Sequence, residues 1–149
     1  MSLLFLIGAR GSGKTTAARL VAERLGRDWI DADAELERRA GRTVSELFAA
    51  EGEAAFRALE SEVLADLCGR TRLVVATGGG VVLSPINRER MRSTGRVVWL
   101  RADPTALWAR ISADPTTAAR RPALAGGGPE EVAQVLAARE ALYQECAHA

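Results

Sequence analysis

The sequence is poor in lysine, histidine and cysteine. Lys14 is the only lysine among 20 basic residues, and His148 is the only histidine. The two cysteines, Cys68 and Cys146, lack CxxC spacing, which argues against structural zinc or a disulfide framework and favours free thiols. The first apolar run, residues 3–7, is too short for a signal or membrane segment. We therefore expect a cytoplasmic protein with no membrane partner.

The sequence also lacks a strong charge of either sign. Charged residues make up 26% of the chain, yet the net charge is only +1. A nucleic-acid-binding domain would usually show a marked basic excess, so we expect no nucleic-acid partner. The chain has 149 residues, of which 48% are hydrophobic, and this suffices for one core. We predict a single domain over residues 1–149.

Short apolar runs alternate with helical patterns along the chain, which is typical of an α/β fold with a parallel sheet. Residues 113–128 are rich in arginine and glycine and have no periodicity, so this stretch is expected to be functional or disordered. The predicted strands are 3–7, 28–31, 73–76 and 97–100, and the predicted helices are 14–25, 34–40, 44–67 with a break at Gly52, 86–92, 105–112 and 130–146.

Residues 8–15 read GARGSGKT and match the phosphate-binding motif GxxxxGK[ST]. An apolar strand pattern precedes them and an amphipathic helix pattern follows, as the motif requires. Lys14 is expected to contact the β- and γ-phosphates of ATP, and the Thr15 hydroxyl to bind Mg²⁺. Thr16 either contacts the α-phosphate or serves only the helix. The predicted nucleotide-binding residues of this loop are Gly11, Ser12, Gly13, Lys14, Thr15 and Thr16.

Two carboxylates, Asp31 and Asp33, stand at the carboxyl end of the second predicted strand. At strand spacing they would lie on the same side of the strand, at its carboxyl end. In a doubly wound sheet this end forms the ligand crevice, so both are candidates for the acceptor side of a kinase site. The alternative for Asp33 is that it caps the helix predicted at 34–40.

With its later motifs, the sequence closely resembles the shikimate kinase family. The matching features are the GxxGxGKTT loop, the DxD pair, the GE-xx-FR-xx-E segment at 52–60, the TGGG turn at 77–80, the RRP triplet at 120–122 and the R-xx-LY segment at 139–143. They occur in family order over nearly the whole chain. The resemblance implies that ATP phosphorylates the 3-hydroxyl of shikimate, giving 3-phosphoshikimate in aromatic amino acid biosynthesis.

The resemblance also implies roles on the shikimate side. Asp33 would bind shikimate hydroxyls and act as, or help to orient, the catalytic base, while Asp31 would hold Mg²⁺ through water. Arg57 and Arg139 would clamp the shikimate carboxylate. The substrate-binding glycines would be Gly78, Gly79 and Gly80, the last two through their N–H groups.

Two further arginines belong to the nucleotide side of the resemblance. Arg121 matches an arginine on a mobile lid, at about 113–128, that closes on the transferring phosphate. Arg120 is adjacent, but Pro122 fixes the alignment in favour of Arg121. Arg110 matches an arginine that packs near adenine.

Simpler interpretations exist for several of these residues. Arg57 could form a surface salt-bridge ladder with Glu53 and Glu60, because they lie four residues before and three after it. Arg139 could be a solvated helix arginine. The three glycines at 78–80 could form a tight turn only, although their place after a strand favours close approach of a ligand.

The resemblance predicts a P-loop NTPase fold: a three-layer sandwich whose parallel sheet has about four strands in the order 2-3-1-4, with helices on both faces. Relatives continue past the R-xx-LY segment into another strand and helix, whereas this sequence stops at Ala149. We therefore expect strand 97–100 to be an uncovered edge, adenine selectivity to be weakened, and a monomer with some tendency to self-associate through that edge. The alternative functions are a gluconate-type kinase, a nucleoside monophosphate kinase, and a kinase-like binding module without turnover.

Overall fold

A computed structural model of the chain describes residues 3–113 and 122–149, with side chains described for 3–113 and 129–149. No helix in this part of the chain is long and apolar enough to cross a bilayer. The strands are β1 (Leu3–Ile7), β2 (Asp28–Asp31), β3 (Leu73–Ala76) and β4 (Gly95–Trp99); the helices are α1 (Lys14–Leu25), α2 (Ala32–Ala40), α3 (Val44–Leu67), α4 (Pro85–Thr94), α5 (Pro104–Ala113) and α6 (Pro122–Cys146); a 3₁₀ turn spans Val81–Leu83.

The four strands form one parallel sheet in the order β2-β3-β1-β4, which confirms the predicted order. Strand β1 pairs with β3 on one side and with β4 on the other, and β2 pairs with β3. The side chains of β3 are all buried, as expected for a strand that is covered on both faces.

Apolar side chains of β1 alternate between two cores. Phe5 belongs to the larger core, which also contains Phe56 of α3 and Tyr143 of α6. Leu6 belongs to a smaller core with Ala18 of α1. Because helices cover both faces of the sheet, the predicted three-layer α/β sandwich is confirmed.

Helix α3 bends at Gly52, as the sequence predicted. Gly52 has φ 86° and ψ 175°, a conformation that residues with a side chain rarely adopt. The bend directs the second half of the helix toward the end of β3. This half carries Arg57 and Glu60 to the site described below.

Four helices begin earlier than predicted, α4 and α5 by one residue each and α2 and α6 by more. Helix α2 begins at Ala32 rather than at residue 34, because Asp31 supplies the N-cap. Helix α6 begins at Pro122 rather than at residue 130, and proline is well tolerated in the first turn because it needs no N–H partner there. Residues 114–121, with Arg120 and Arg121, lie outside the described part of the chain, so the lid stays a prediction.

Strand β4 lies at an edge of the sheet, but the last residues of the chain pair with it. The His148 N–H donates to the Val97 carbonyl oxygen at 2.8 Å, and the Trp99 N–H donates to the Ala149 carbonyl oxygen at 2.9 Å. The Val97 N–H donates to His148 Nδ1 at 3.0 Å. The expectation of a fully uncovered edge was therefore wrong: residues 148–149 occupy part of it.

The pairing of β1 with β4 leaves no room for a side chain at Gly95. A Cβ atom there would lie 2.6 Å from the Leu3 carbonyl oxygen, so one of the two paired backbones would have to shift. We expect Gly95→Ala to lower the free energy of unfolding by about 1–3 kcal/mol in urea denaturation. The control is Gly69→Ala, where the nearest atom would lie at 3.4 Å. Equal losses in both variants would contradict the prediction.

Candidate functional site

The carboxyl ends of β1, β2 and β3 open into one cleft of about 270 Å³. Its walls come from the loop after β1, from Asp31 at the end of β2, from Asp33 in α2, and from Thr77 and the first glycines after β3. The predicted phosphate-binding loop, the two predicted carboxylates and the predicted glycine turn thus meet at one edge of the sheet. This is the edge at which parallel α/β sheets bind ligands.

The loop after β1 is shaped as an anion cradle. Gly11 and Gly13 have φ values of 85° and 94°, in the left-handed region that glycine adopts freely. A Cβ on Gly13 would meet no atom within 4 Å, so the backbone there is open to a ligand. Helix α1 begins directly after the loop, and its N-terminus favours negative charge. The buried Ser12 hydroxyl has no hydrogen-bond partner among the described residues, which leaves it available to a phosphate oxygen.

Lys14 lines the same cleft and is hydrogen-bonded to the start of the loop. Its side chain is only 8% exposed, and Nζ donates to the carbonyl oxygens of Gly8 at 2.5 Å and Ala9 at 3.0 Å. An ammonium group held at this place adds positive charge to the N–H groups of the loop. The geometry suits the terminal phosphates of a nucleotide.

The predicted metal-binding pair is in direct contact. The Thr15 hydroxyl donates to Asp31 Oδ2 at 2.9 Å, and Asp31 Oδ1 accepts the Ala34 N–H at 3.1 Å. Asp31 is therefore the N-cap of α2, and the alternative that Asp33 caps this helix was wrong. Oxygen donors from one carboxylate and one hydroxyl suit Mg²⁺, which keeps waters and phosphate oxygens as its other ligands. Among the described residues, no group of three or more His, Cys, Asp and Glu could hold a metal ion.

Asp33 lies in the first turn of α2 rather than on the strand, so the strand-spacing argument for it was wrong. Its side chain is nevertheless 7% exposed and borders the same cleft as Asp31. A Cβ on Gly78 would lie 2.8 Å from Asp33 Oδ1 and 2.9 Å from Glu60 Oε2. Gly78 thus allows two carboxylates to approach its backbone closely.

Arg57 forms the predicted ladder and also reaches the glycine turn. Its Nη1 donates to Glu60 Oε1 at 2.9 Å, and its Nε donates to Glu53 Oε2 at 3.4 Å. The guanidinium also lies 5.0 Å from the centre of the Phe56 ring. A Cβ on Gly80 would collide with this guanidinium, so Arg57 is packed against the turn and is more than a surface arginine.

Helix α6 brings a second arginine to the same turn. Arg139 Nη1 would lie 3.6 Å from a Cβ on Gly79, and Arg139 is half-buried rather than solvated. On the next turn of α6, the Tyr143 hydroxyl donates to the Gly79 carbonyl oxygen at 2.6 Å. Each of the glycines Gly78, Gly79 and Gly80 therefore has a polar group from another element close to it, which a simple tight turn would not require.

Glu60 and Tyr143 are site residues that the sequence reasoning did not assign. Glu60 was seen only as a surface partner of Arg57, yet it is 5% exposed. Its spacing of three residues from Arg57 was the available signal. Tyr143 appeared within the R-xx-LY segment, but nothing in the pattern indicated that its hydroxyl would reach residue 79.

Arg110 of α5 borders the cleft on the nucleotide side. Its Nη1 donates to the Gly11 carbonyl oxygen at 2.9 Å, which fixes the arginine beside the phosphate cradle. Its predicted packing near adenine stays a prediction.

Comparisons with known proteins agree with this geometry. The shikimate kinase family profile matches residues 10–149. A protein named shikimate kinase from Oleidesulfovibrio alaskensis is 46% identical over 149 residues, which cover 99% of this chain and 86% of the relative. The structure of shikimate kinase from Acinetobacter baumannii in complex with shikimate has a TM-score of 0.92 at 39% identity, covering 99% of this chain and 81% of that chain. A gluconokinase from Sinorhizobium meliloti, with a TM-score of 0.51 at 17% identity over 98% of this chain and 93% of its own, shares the fold alone.

Lys14 provides a test of the phosphate cradle. We expect Lys14→Ala to weaken binding of a non-hydrolysable ATP analogue at least about tenfold, because a charge-assisted contact to the phosphates is lost. Calorimetry measures this affinity, and circular dichroism checks the fold. Arg19→Ala removes an exposed charge from the same helix and serves as control. Unchanged affinity in Lys14→Ala would remove this residue from the nucleotide site.

Proposed function

The chain belongs to the shikimate kinase family, and on this premise we propose that it transfers the γ-phosphoryl group of ATP to the 3-hydroxyl of shikimate. The observation that carries the proposal is the position of one turn, residues 77–80. It borders the phosphate cradle at one end and has Arg57 and Arg139 packed against its glycines. A phosphoryl donor and a small carboxylic acid can thus be held side by side.

The donor side consists of the cradle, Lys14, Thr15 and Asp31. The cradle and Lys14 hold the terminal phosphates, and Lys14 offsets the negative charge of the transferring group. Thr15 and Asp31 would hold Mg²⁺ together with the nucleotide, and the ion would supply further positive charge to the phosphates. Arg110 contacts the adenine side.

On the acceptor side, Asp33 is the catalytic base or orients the 3-hydroxyl of shikimate. The shikimate 3-hydroxyl donates a hydrogen bond to the Asp33 carboxylate. As this oxygen attacks the γ-phosphorus, its proton passes to Asp33, and ADP leaves. Glycine at position 78 allows the substrate and the carboxylate to come close together.

The carboxylate of shikimate is bound by Arg57 and Arg139. A guanidinium group offers two parallel N–H donors to a carboxylate, which fixes its orientation as well as its charge. Glu60 holds Arg57 in place, so little conformational freedom is lost on binding. Gly79 and Gly80 offer N–H groups to the ring substituents, and Arg121 closes over the transferring phosphate.

We further propose a cytoplasmic monomer. ATP is abundant in the cytoplasm, and the free thiols Cys68 and Cys146 suit a reducing compartment. Size-exclusion chromatography at two protein concentrations tests the monomer, and a concentration-dependent dimer would contradict it.

A coupled assay of ADP release tests the function and its main alternatives together. With ATP, Mg²⁺ and shikimate we expect turnover that depends on both Mg²⁺ and shikimate. With gluconate, or with no acceptor, we expect only background release. Turnover with gluconate alone would favour the gluconate-type kinase. Binding of shikimate by calorimetry without any turnover would identify a binding module.

Asp33→Asn tests the acceptor chemistry. The amide is similar in size but is a poor proton acceptor, so we expect kcat to fall by at least about two orders of magnitude while ATP affinity stays unchanged. Asp28→Asn, an exposed position at the start of β2, is the matched control. Wild-type turnover in Asp33→Asn would remove this carboxylate from the mechanism.

A further inference from the structure

The hydroxyl of Tyr143 is buried and contacts the turn formed by residues 77–80. Tyr143 is 1% exposed, and its hydroxyl donates to the Gly79 carbonyl oxygen at 2.6 Å. Its ring stacks on Trp99 of β4, with the ring centres 5.6 Å apart. The ring is therefore seated between the sheet and the turn, and its hydroxyl has a fixed direction.

This hydrogen bond acts on a peptide plane that contains a substrate-binding group. The Gly79 carbonyl and the Gly80 N–H belong to the same planar peptide unit and point in opposite directions. Glycine residues leave such a unit free to rotate, because they restrict φ and ψ least. A donor that holds the carbonyl therefore also sets the direction of the Gly80 N–H.

The same hydroxyl is coupled to the carboxylate-binding arginine. Arg139 lies four residues before Tyr143, on the same face of α6. Arg139, Tyr143 and Gly79 line one small cavity beside the turn. Burial raises the pKa of Tyr143, whereas the nearby charge of Arg139 lowers it.

We propose that Tyr143 is a positioning residue for the acceptor substrate, which acts through the Gly79–Gly80 peptide and through Arg139 without touching shikimate itself. This role rests on the proposed function. It predicts an effect on acceptor binding that is separate from nucleotide binding, because the Tyr143 hydroxyl donates to the turn after β3 and not to the loop after β1.

The test is Tyr143→Phe, which removes only the hydroxyl. We expect the KM for shikimate to rise about five- to twentyfold, because the hydrogen bond that orients the Gly79–Gly80 peptide is lost. The KM for ATP and the kcat should each change less than about twofold. Cys146→Ala, a buried substitution on the same helix, controls for loss of packing and should leave both KM values unchanged. A variant with 4-aminophenylalanine at position 143 keeps a donor and should restore the KM.

A second measurement does not depend on turnover. In the ligand-free protein, Tyr143→Phe should shift the amide resonance of Gly80 and speed its hydrogen exchange, whereas Cys146→Ala should not. A wild-type KM in Tyr143→Phe, or an equal rise in Cys146→Ala, would overturn the proposal. If the wild-type protein shows no turnover with shikimate, the proposed function fails, whereas an unchanged Gly80 amide in Tyr143→Phe refutes the positioning role alone.

Discussion

The central strand β1 hydrogen-bonds to β3 on one side and to β4 on the other, in parallel on both sides. Because parallel strands end at the same edge of a sheet, this pairing places the phosphate cradle beside the turn that follows β3. It also sets the distance between them, since Leu6 of β1 is paired with Ala76 of β3 just before both segments leave the sheet. The proposed donor and acceptor sites are thus neighbours because of strand register.

The glycine turn after β3 is where the helices contribute to the site. Asp33 from α2 approaches Gly78, Arg139 from α6 approaches Gly79, and Arg57 from α3 approaches Gly80. A side chain at residue 78 or 80 would occupy the space that a carboxylate or a guanidinium now fills. Charged groups from three helices can therefore surround this turn. The backbone N–H and carbonyl groups of the turn remain close to any ligand in the cleft.

The parts of the site that follow local rules were predictable from the sequence. The phosphate cradle was predictable because consecutive residues between a strand and a helix form it. The order of the strands was predicted from the family resemblance. The argument for Asp33 reached the right cleft by a wrong route, because Asp31 ended the strand by capping α2. The start of α6 at Pro122 was missed, because glycines 126–128 indicate a loop by propensity alone.

Contacts between distant segments were not predictable in this way. The hydrogen bond from Tyr143 to Gly79 joins residues 64 positions apart, and no periodicity encodes it. The burial of Glu60 depends on the bend at Gly52, which the sequence indicated only as a break. The pairing of His148 with Val97 depends on how α6 ends over the sheet, which is a property of the assembled fold.

Several charged and polar groups of the site have hydrogen-bond partners within the protein, and this affects how ligands bind. Lys14 donates to carbonyl oxygens of its own loop, Thr15 to Asp31, and Arg57 to Glu60. A ligand that binds these groups exchanges one hydrogen bond for another, so each contact contributes only about 0.5–1.5 kcal/mol net. Selectivity then depends on a ligand that satisfies all the displaced groups at once, because a buried group left without a partner costs about 1–3 kcal/mol.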